Sequence, residues 1–211
     1  MLSGVSPGSL AEADFLGLIP ESGQATNDLL GGNGGSNTFF GDAGDDTLVG
    51  LGGDDALYGG GDSDFIDGGV GNDIVDGGSG NDALVGGAQG DDTVYGGNGH
   101  DNLRGDDGND TLFAGAGNDT LFGGHETNTL FGGDGSDIFV ASADEHGINT
   151  IADFEQGADH IDLSGRHVHF SELQISGTTD AIVTFGDQVI VVTGVVPNAL
   201  AASDFIGLEP L

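Results

Sequence analysis

The chain has 211 residues, 36% of them hydrophobic, and its 44 glycines are about three times ordinary usage. Thirty-six Asp and Glu face two basic residues, Arg104 and Arg166, for a formal charge of −34, which excludes nucleic acid and anionic membrane surfaces as partners and invites cations. No cysteine is present, so disulfides and thiol chemistry are excluded, and no apolar run is long enough to span a membrane.

Residues 1–22 read as a leader. Ser9-Leu10-Ala11-Glu12 fits a capping box opening a short helix towards Leu18, and a disordered leader accounts for the segment equally well. Met1 to Gln24 lacks the basic and apolar regions of a Sec-type signal peptide. The protein therefore either stays inside or leaves by a route that does not read its N-terminus.

Residues 23–140 are a repeat. Residues 77–85, GGSGNDALV, and 132–140, GGDGSDIFV, both fit G-G-x-G-x-D-x-U-x, where U is a large apolar residue. The pattern runs through thirteen consecutive units from Gly23 to Val140, all of nine residues except 86–95, which has one more. The eighth position is apolar in all thirteen; the sixth is Asp in eleven and Asn in two, Asn37 and Asn128. A disordered glycine-rich linker has no need of a phase-locked apolar column. The glycines permit a tight six-residue turn, and the last three residues form a short strand with the eighth pointing one way and its neighbours the other. One unit makes half a coil, so the expected fold is all-β: a two-sheet, right-handed parallel β-roll, or β-solenoid. Six and a half coils would stand about 30 Å tall.

Such winding stacks the sixth positions of alternate units. One edge carries Asp28, Asp46, Asp64, Asp82, Asp101, Asp119 and Asp137; the other carries Asn37, Asp55, Asp73, Asp92, Asp110 and Asn128. Bare carboxylates about 5 Å apart repel by about 1 kcal/mol per neighbour even in bulk water. Carboxylates with main-chain carbonyls, and no His or Cys among them, describe a hard-cation shell that favours Ca²⁺ over Mg²⁺. Nine full sites are expected, with two weak or empty ones where Asn37 or Asn128 replaces a carboxylate. Thr26, Asp62 and Glu126 depart from glycine at the fourth position.

The nonapeptide resembles that of the RTX (repeats-in-toxin), or hemolysin-type, calcium-binding proteins. The resemblance implies ions held between stacked turns by pairs of sixth-position Asp side chains. It also implies main-chain carbonyl ligands from Gly59, Gly60, Gly68, Gly69, Gly71, Gly77, Gly78, Ser79 and Gly80.

Residues 141–211 lose the nonapeptide. Thr150–Phe154 and Ala158–Gly165 look like the segment that closes RTX rolls in secreted exoproteins, and Ala201–Phe205 resembles the family's C-terminal ending. The resemblance implies a cap carrying an uncleaved signal for type I secretion, hence a secreted or cell-surface protein. Residues 181–187 and 188–192 read as a hairpin with Gly-Asp at its turn.

No catalytic constellation is expected. His125-Glu126 lacks the second His of H-E-x-x-H, and His167 and His169 lack a third ligand. Phe40, Tyr58, Tyr95, Phe113 and Phe131 occupy ninth positions of one sheet and point outward, either as cross-strand stacking or as a face for self-association or a partner. The chain reads as a secreted Ca²⁺-binding protein or module, and not an enzyme. The alternatives are the non-catalytic C-terminal part of a larger protease, lipase or epimerase, and an adhesive or surface-layer component. Met1 and the apparent cap favour a whole protein mildly.

Overall fold

The computed structural model describes residues 21–141, 147–186 and 188–209. The capping box at Ser9–Glu12 and the helix expected after it lie outside the described residues.

The eighth-position residue of every unit turns inward, and this column is what winds the chain. Strands of alternate units pair in parallel, eighteen residues apart, or nineteen across the longer unit 86–95, so each unit is half a coil. Among the described residues two sheets form. The first runs Glu21–Ser22, Thr38–Ala43, Ala56–Gly61, Ile74–Ser79, Thr93–Asn98, Thr111–Ala116, Glu126–Asp134 and Gly147–Ile151, then Gln188–Val192, Ala181–Phe185 and Gln174–Ser176. The second runs Leu29–Asn33, Thr47–Leu51, Phe65–Gly69, Ala83–Ala88, Asn102–Asp107, Thr120–Phe122, Ile138–Val140, His160–Asp162 and Phe205–Ile206. Among the described strands, the pairs formed by the last three of the first sheet are antiparallel and the rest are parallel.

Register aligns like with like: Leu57 with Val75, Val94, Leu112 and Leu130 in one sheet, and Leu48 with Ile66, Leu84, Leu103, Leu121 and Phe139 in the other. These side chains are buried. Each contributes about 1.5–3 kcal/mol, and a coil supplies only two, so the apolar core is thin.

The strands are longer than the three residues expected. Ala56–Gly61 and Thr111–Ala116 run on through the first three positions of the next unit. The first-position glycine stays extended and buried, leaving a turn confined to the fourth to sixth positions. The extra residue of unit 86–95 is absorbed at Gln89, with φ 73°, and pairing resumes in phase.

Beyond Val140 the winding continues without the nonapeptide. Asn149, Thr150 and Ile151 pair with Asn128, Thr129 and Leu130, and His160 and Ile161 with Ile138 and Phe139. The expected hairpin is present, Ala181–Phe185 against Gln188–Val192, with Gly186 at φ 61°. Phe205–Ile206 closes the second sheet against Ile161 and Asp162.

Candidate metal centre

Two ladders of acidic side chains line the two edges of the roll. On one, the Asp28 N–H donates to Asp46 Oδ1 at 2.7 Å, Asp46 to Asp64 at 2.8 Å, Asp64 to Asp82 at 2.8 Å, Asp82 to Asp101 at 2.9 Å, Asp101 to Asp119 at 2.8 Å and Asp119 to Asp137 at 2.9 Å. On the other, Asn37 donates to Asp55, Asp55 to Asp73, Asp73 to Asp92 and Asp92 to Asp110. The structure thus brings together all eleven aspartates singled out from the sequence.

One oxygen of each carboxylate is spent on this chain of hydrogen bonds. The other is not. Oδ2 of Asp46, Asp55, Asp64, Asp73, Asp82, Asp92, Asp101, Asp110, Asp119 and Asp137 is buried with no hydrogen-bond partner. These ten residues are at most 3% exposed. Asp28 is the exception: its Oδ2 accepts the Gln24 N–H at 2.8 Å.

Burial pushes these carboxyls up, Asp92 to about 7 and Asp55, Asp64, Asp82 and Asp110 to about 6. Main-chain N–H donation opposes the rise, and neighbouring carboxylates add to it. Asp46, Asp73, Asp101, Asp119 and Asp137 are raised for the same first cause. An orphaned anionic oxygen in a buried row is costly unless a cation or a proton meets it.

The turns supply the remaining oxygens. A side chain on Gly50 would overlap both Asp55 Oδ2 and the Gly68 carbonyl oxygen; on Gly59 it would meet Asp64 Oδ2 and the Gly77 carbonyl. The glycine column therefore keeps open a slot bounded by a carboxylate of one coil and a carbonyl of the next. The carbonyls of Gly59, Gly68 and Gly77 point back towards the preceding coil, while those of Gly60, Gly69, Gly71, Gly78 and Gly80 point towards the following one. Ser79 places its hydroxyl on the Gly60 carbonyl at 3.4 Å. Such carboxylate and carbonyl oxygens fit a hard divalent ion and offer nothing to a soft one. Among the described residues no three His, Cys, Asp or Glu side chains cluster closely enough to hold a metal by themselves, so any ion here depends on main-chain oxygen.

The edge that runs from Asn37 to Asn128 ends differently. Asn128 Oδ1 accepts the Asp110 N–H at 2.9 Å, but its Nδ2 donates to the His125 carbonyl and to Asn149 Oδ1, each at 3.0 Å. An amide N–H₂ stands where other rungs leave an orphaned oxygen. Asp62 takes φ 72° with an exposed side chain, so it tolerates the turn and does not join the row. His167 and His169 both turn to Glu209, through Oε1 at 2.9 Å and the carbonyl at 3.0 Å. The His125 ring lies 3.8 Å from Asp107 Oδ1.

The nonapeptide pattern does not reach Asn149, Asp153 or Asp159, which the fold adds to the two edges. A partial signal was present: Asn149-Thr150-Ile151 and Asp159-His160-Ile161 keep the acidic-or-amide, any, apolar triplet of the sixth to eighth positions. The aromatic column stacks on itself, Phe40 on Tyr58 at 5.0 Å, Tyr95 on Phe113 at 5.1 Å and Phe113 on Phe131 at 4.7 Å, with Asp76 in register between Tyr58 and Tyr95.

No curated protein matches the chain. Among solved structures it is similar to the AlgE6R3 subunit of the Azotobacter vinelandii mannuronan C5-epimerase, at 20% identity over 78% of this chain and 80% of that one, with a TM-score of 0.30. It is also similar to the AlgE6R2 subunit of that epimerase (18% identity, 92% and 95% covered, TM-score 0.30) and to the extracellular lipase LipA of Serratia marcescens (18% identity, 89% and 40% covered, TM-score 0.23). The model of the RTX calcium-binding nonapeptide repeat (four copies) matches residues 22–57, 31–66, 58–91, 76–112, 86–121 and 104–139, together more than half of the sequence. The chain belongs to the RTX calcium-binding nonapeptide-repeat family.

Proposed function

We propose that this chain is a secreted, non-catalytic module whose folding is driven by calcium ions bound between its stacked turns. The observation that carries this reading is the set of ten buried, unpartnered carboxylate oxygens in two ladders. A thin apolar core and a formal charge of −34 work against the coil. Binding energy becomes folding energy because the slots do not exist in the unfolded chain. Asp46, Asp55, Asp64, Asp73, Asp82, Asp92, Asp101, Asp110, Asp119 and Asp137 supply the carboxylates, with Asp28 a weaker terminal rung. Nine ions are expected, six between the rungs from Asp28 to Asp137 and three between those from Asp55 to Asp110; the sites at Asn37 and Asn128, where an amide replaces one carboxylate, are weak or empty.

In a compartment poor in calcium the chain stays extended and fit for passage through a type I exporter; outside, at about 10⁻⁴–10⁻³ M calcium, it coils. Far-UV circular dichroism of the full chain tests this. Coil in chelator and a cooperative gain of β-signal in millimolar Ca²⁺ are expected, while a fully folded chelated protein contradicts it.

A further inference from the structure

We propose that the outer face of the first sheet binds an arginine side chain of a partner polypeptide, its guanidinium seated on Asp76 between the rings of Tyr58 and Tyr95. The place is distinct from the two acidic edges and uses none of their aspartates.

The slot is a gap in a stack. The outward column of this sheet reads Phe40, Tyr58, Asp76, Tyr95, Phe113 and Phe131. Register sets Asp76 directly between Tyr58 and Tyr95 on adjacent strands. Phe40 lies on Tyr58 with 8° between their planes, and Tyr95 on Phe113 with 7°. Each tyrosine thus has one ring face covered by its own stack and the other turned towards Asp76, where no ring meets it among the described residues.

The spacing suits a flat cation. Two strand spacings of ~4.8 Å put the two rings about 9.6 Å apart, so a planar group above Asp76 lies ~4.8 Å from each. Within the stacks the ring centroids are already 5.0 Å and 5.1 Å apart. A guanidinium there takes the place of the missing ring, inside the ~6 Å over which a ring face attracts a cation.

The floor of the slot supplies the opposite charge. Asp76 is half-buried and makes no hydrogen bond or ion pair among the described residues, and its charge repels that of Asp82. A guanidinium donates a fork of N–H groups to such a carboxylate while its two faces lie against the rings. An ammonium has no flat face with which to continue the stack, and it is more strongly hydrated.

The cation comes from outside the chain. There is no lysine, Arg104 pairs with Asp106, and Arg166 holds Gln188 and lies over the Phe185 ring. Alternation places Ile74 beside Asp76 on the outward face, 43% exposed and aligned with Ala56 and Thr93. It offers apolar contact to the methylene stem of an arginine. On the other side Gly78 is aligned with Gly60 and Gly97, so no side chain closes that entrance. A slot this shallow holds a bare guanidinium weakly, and the stem contact is what favours an arginine side chain.

Asp67 provides the contrast. It stands at the same position of its unit on the second sheet, but its neighbours in register are Val49 and Val85, so no ring flanks it.

The test is an NMR titration of the calcium-saturated full chain with Nα-acetyl-arginine amide, in ~0.15 M salt to screen the general attraction of cations to so acidic a surface. Shifts at the Tyr58 and Tyr95 rings are expected, with Asp76→Asn weakening binding at least about fivefold and Asp67→Asn leaving it unchanged. Asp76→Phe, which completes the stack, is expected to abolish it. Nα-acetyl-lysine amide is expected to bind at least about threefold more weakly than the arginine compound. Equal effects of Asp76→Asn and Asp67→Asn, undiminished binding to Asp76→Phe, or no shift at either tyrosine overturns the site. Methylguanidinium binding as tightly as the arginine compound overturns the side-chain assignment in favour of a free guanidinium compound.

Discussion

At the scale of single residues, each sixth-position carboxylate except Asp28 has two oxygens with different fates, and this division makes a calcium ladder out of a hydrogen-bond ladder. Oδ1 is held by the neighbouring coil's amide, which fixes the side chain within the coil; Oδ2 is left bare. The pH dependence follows. With Asp55, Asp64, Asp82 and Asp110 raised to about 6 and Asp92 to about 7 by burial, the folded chain keeps protons that the unfolded chain loses near pH ~4. Without calcium, stability is therefore greatest below about pH 4 and falls as pH rises through 6 to 7. Calcium must displace those protons, so its affinity runs the other way and weakens on acidification. Calcium titrations at pH 7.5 and 5.5 are expected to show a loss of at least tenfold in affinity at the lower pH; equal affinities would exclude these carboxylates as ligands.

Glycine at the turn is equally specific. Gly99 has φ 147° and sits against the Gly80 carbonyl, so Gly99→Ala is strained and obstructed, whereas Gly34 has open space around it. Thermal unfolding in calcium is expected to show Gly99→Ala destabilised by about 2–4 kcal/mol and Gly34→Ala changed by less than about 1 kcal/mol.

At the scale of elements, the strands and both ladders were legible because two columns, apolar eighth and acidic sixth, are locked in one phase over thirteen units. A helix-forming or disordered chain has no reason to keep that phase. What escaped was what lies beyond the phase. Asp159 stands 22 residues from its partner and Asn149 stands 21 from Asn128, so no fixed spacing points to either. The length of the strands also escaped, because glycine's strand propensity is poor; here the first-position glycine stays extended, and at Gly50 and Gly59 a side chain would strike the aspartate of its own unit. Asp28 was legible as a rung but not as a satisfied one.

Asn128 marks where one edge stops relying on ions. Asn128→Asp removes two hydrogen bonds, a part-buried one to the His125 carbonyl and a buried one to Asn149, and adds a charge. Its expected effect is a loss of about 1–3 kcal/mol at low calcium, read by thermal unfolding, with recovery as calcium rises. The aromatic column belongs to the same scale. Phe113 lies between Tyr95 and Phe131, so Phe113→Ala forfeits two stacked contacts and is expected to cost about 1–2 kcal/mol in calcium-saturated protein. An unchanged melting temperature would remove stacking as the reason for that column.

For the whole molecule, the balance is between a narrow core and a large negative charge. Nine divalent ions would bring −34 to about −16, so saturation removes about half of the repulsion as it ties coil to coil. The cap continues both sheets by pairing with the last repeat strands, so the roll's open end is covered by ordinary backbone pairing while its edges depend on charge. The central claim is that cations sit between acidic rungs. The most direct measurement is a crystal structure grown in millimolar calcium, with anomalous scattering to identify the ion. The account predicts density between the turns of units 59–67 and 77–85, about 2.3–2.6 Å from carboxylate oxygens of Asp64 and Asp82 and from main-chain carbonyls. A folded roll whose Asp64 and Asp82 carboxylates are bridged by water or protons alone, with no ion between them, would contradict it.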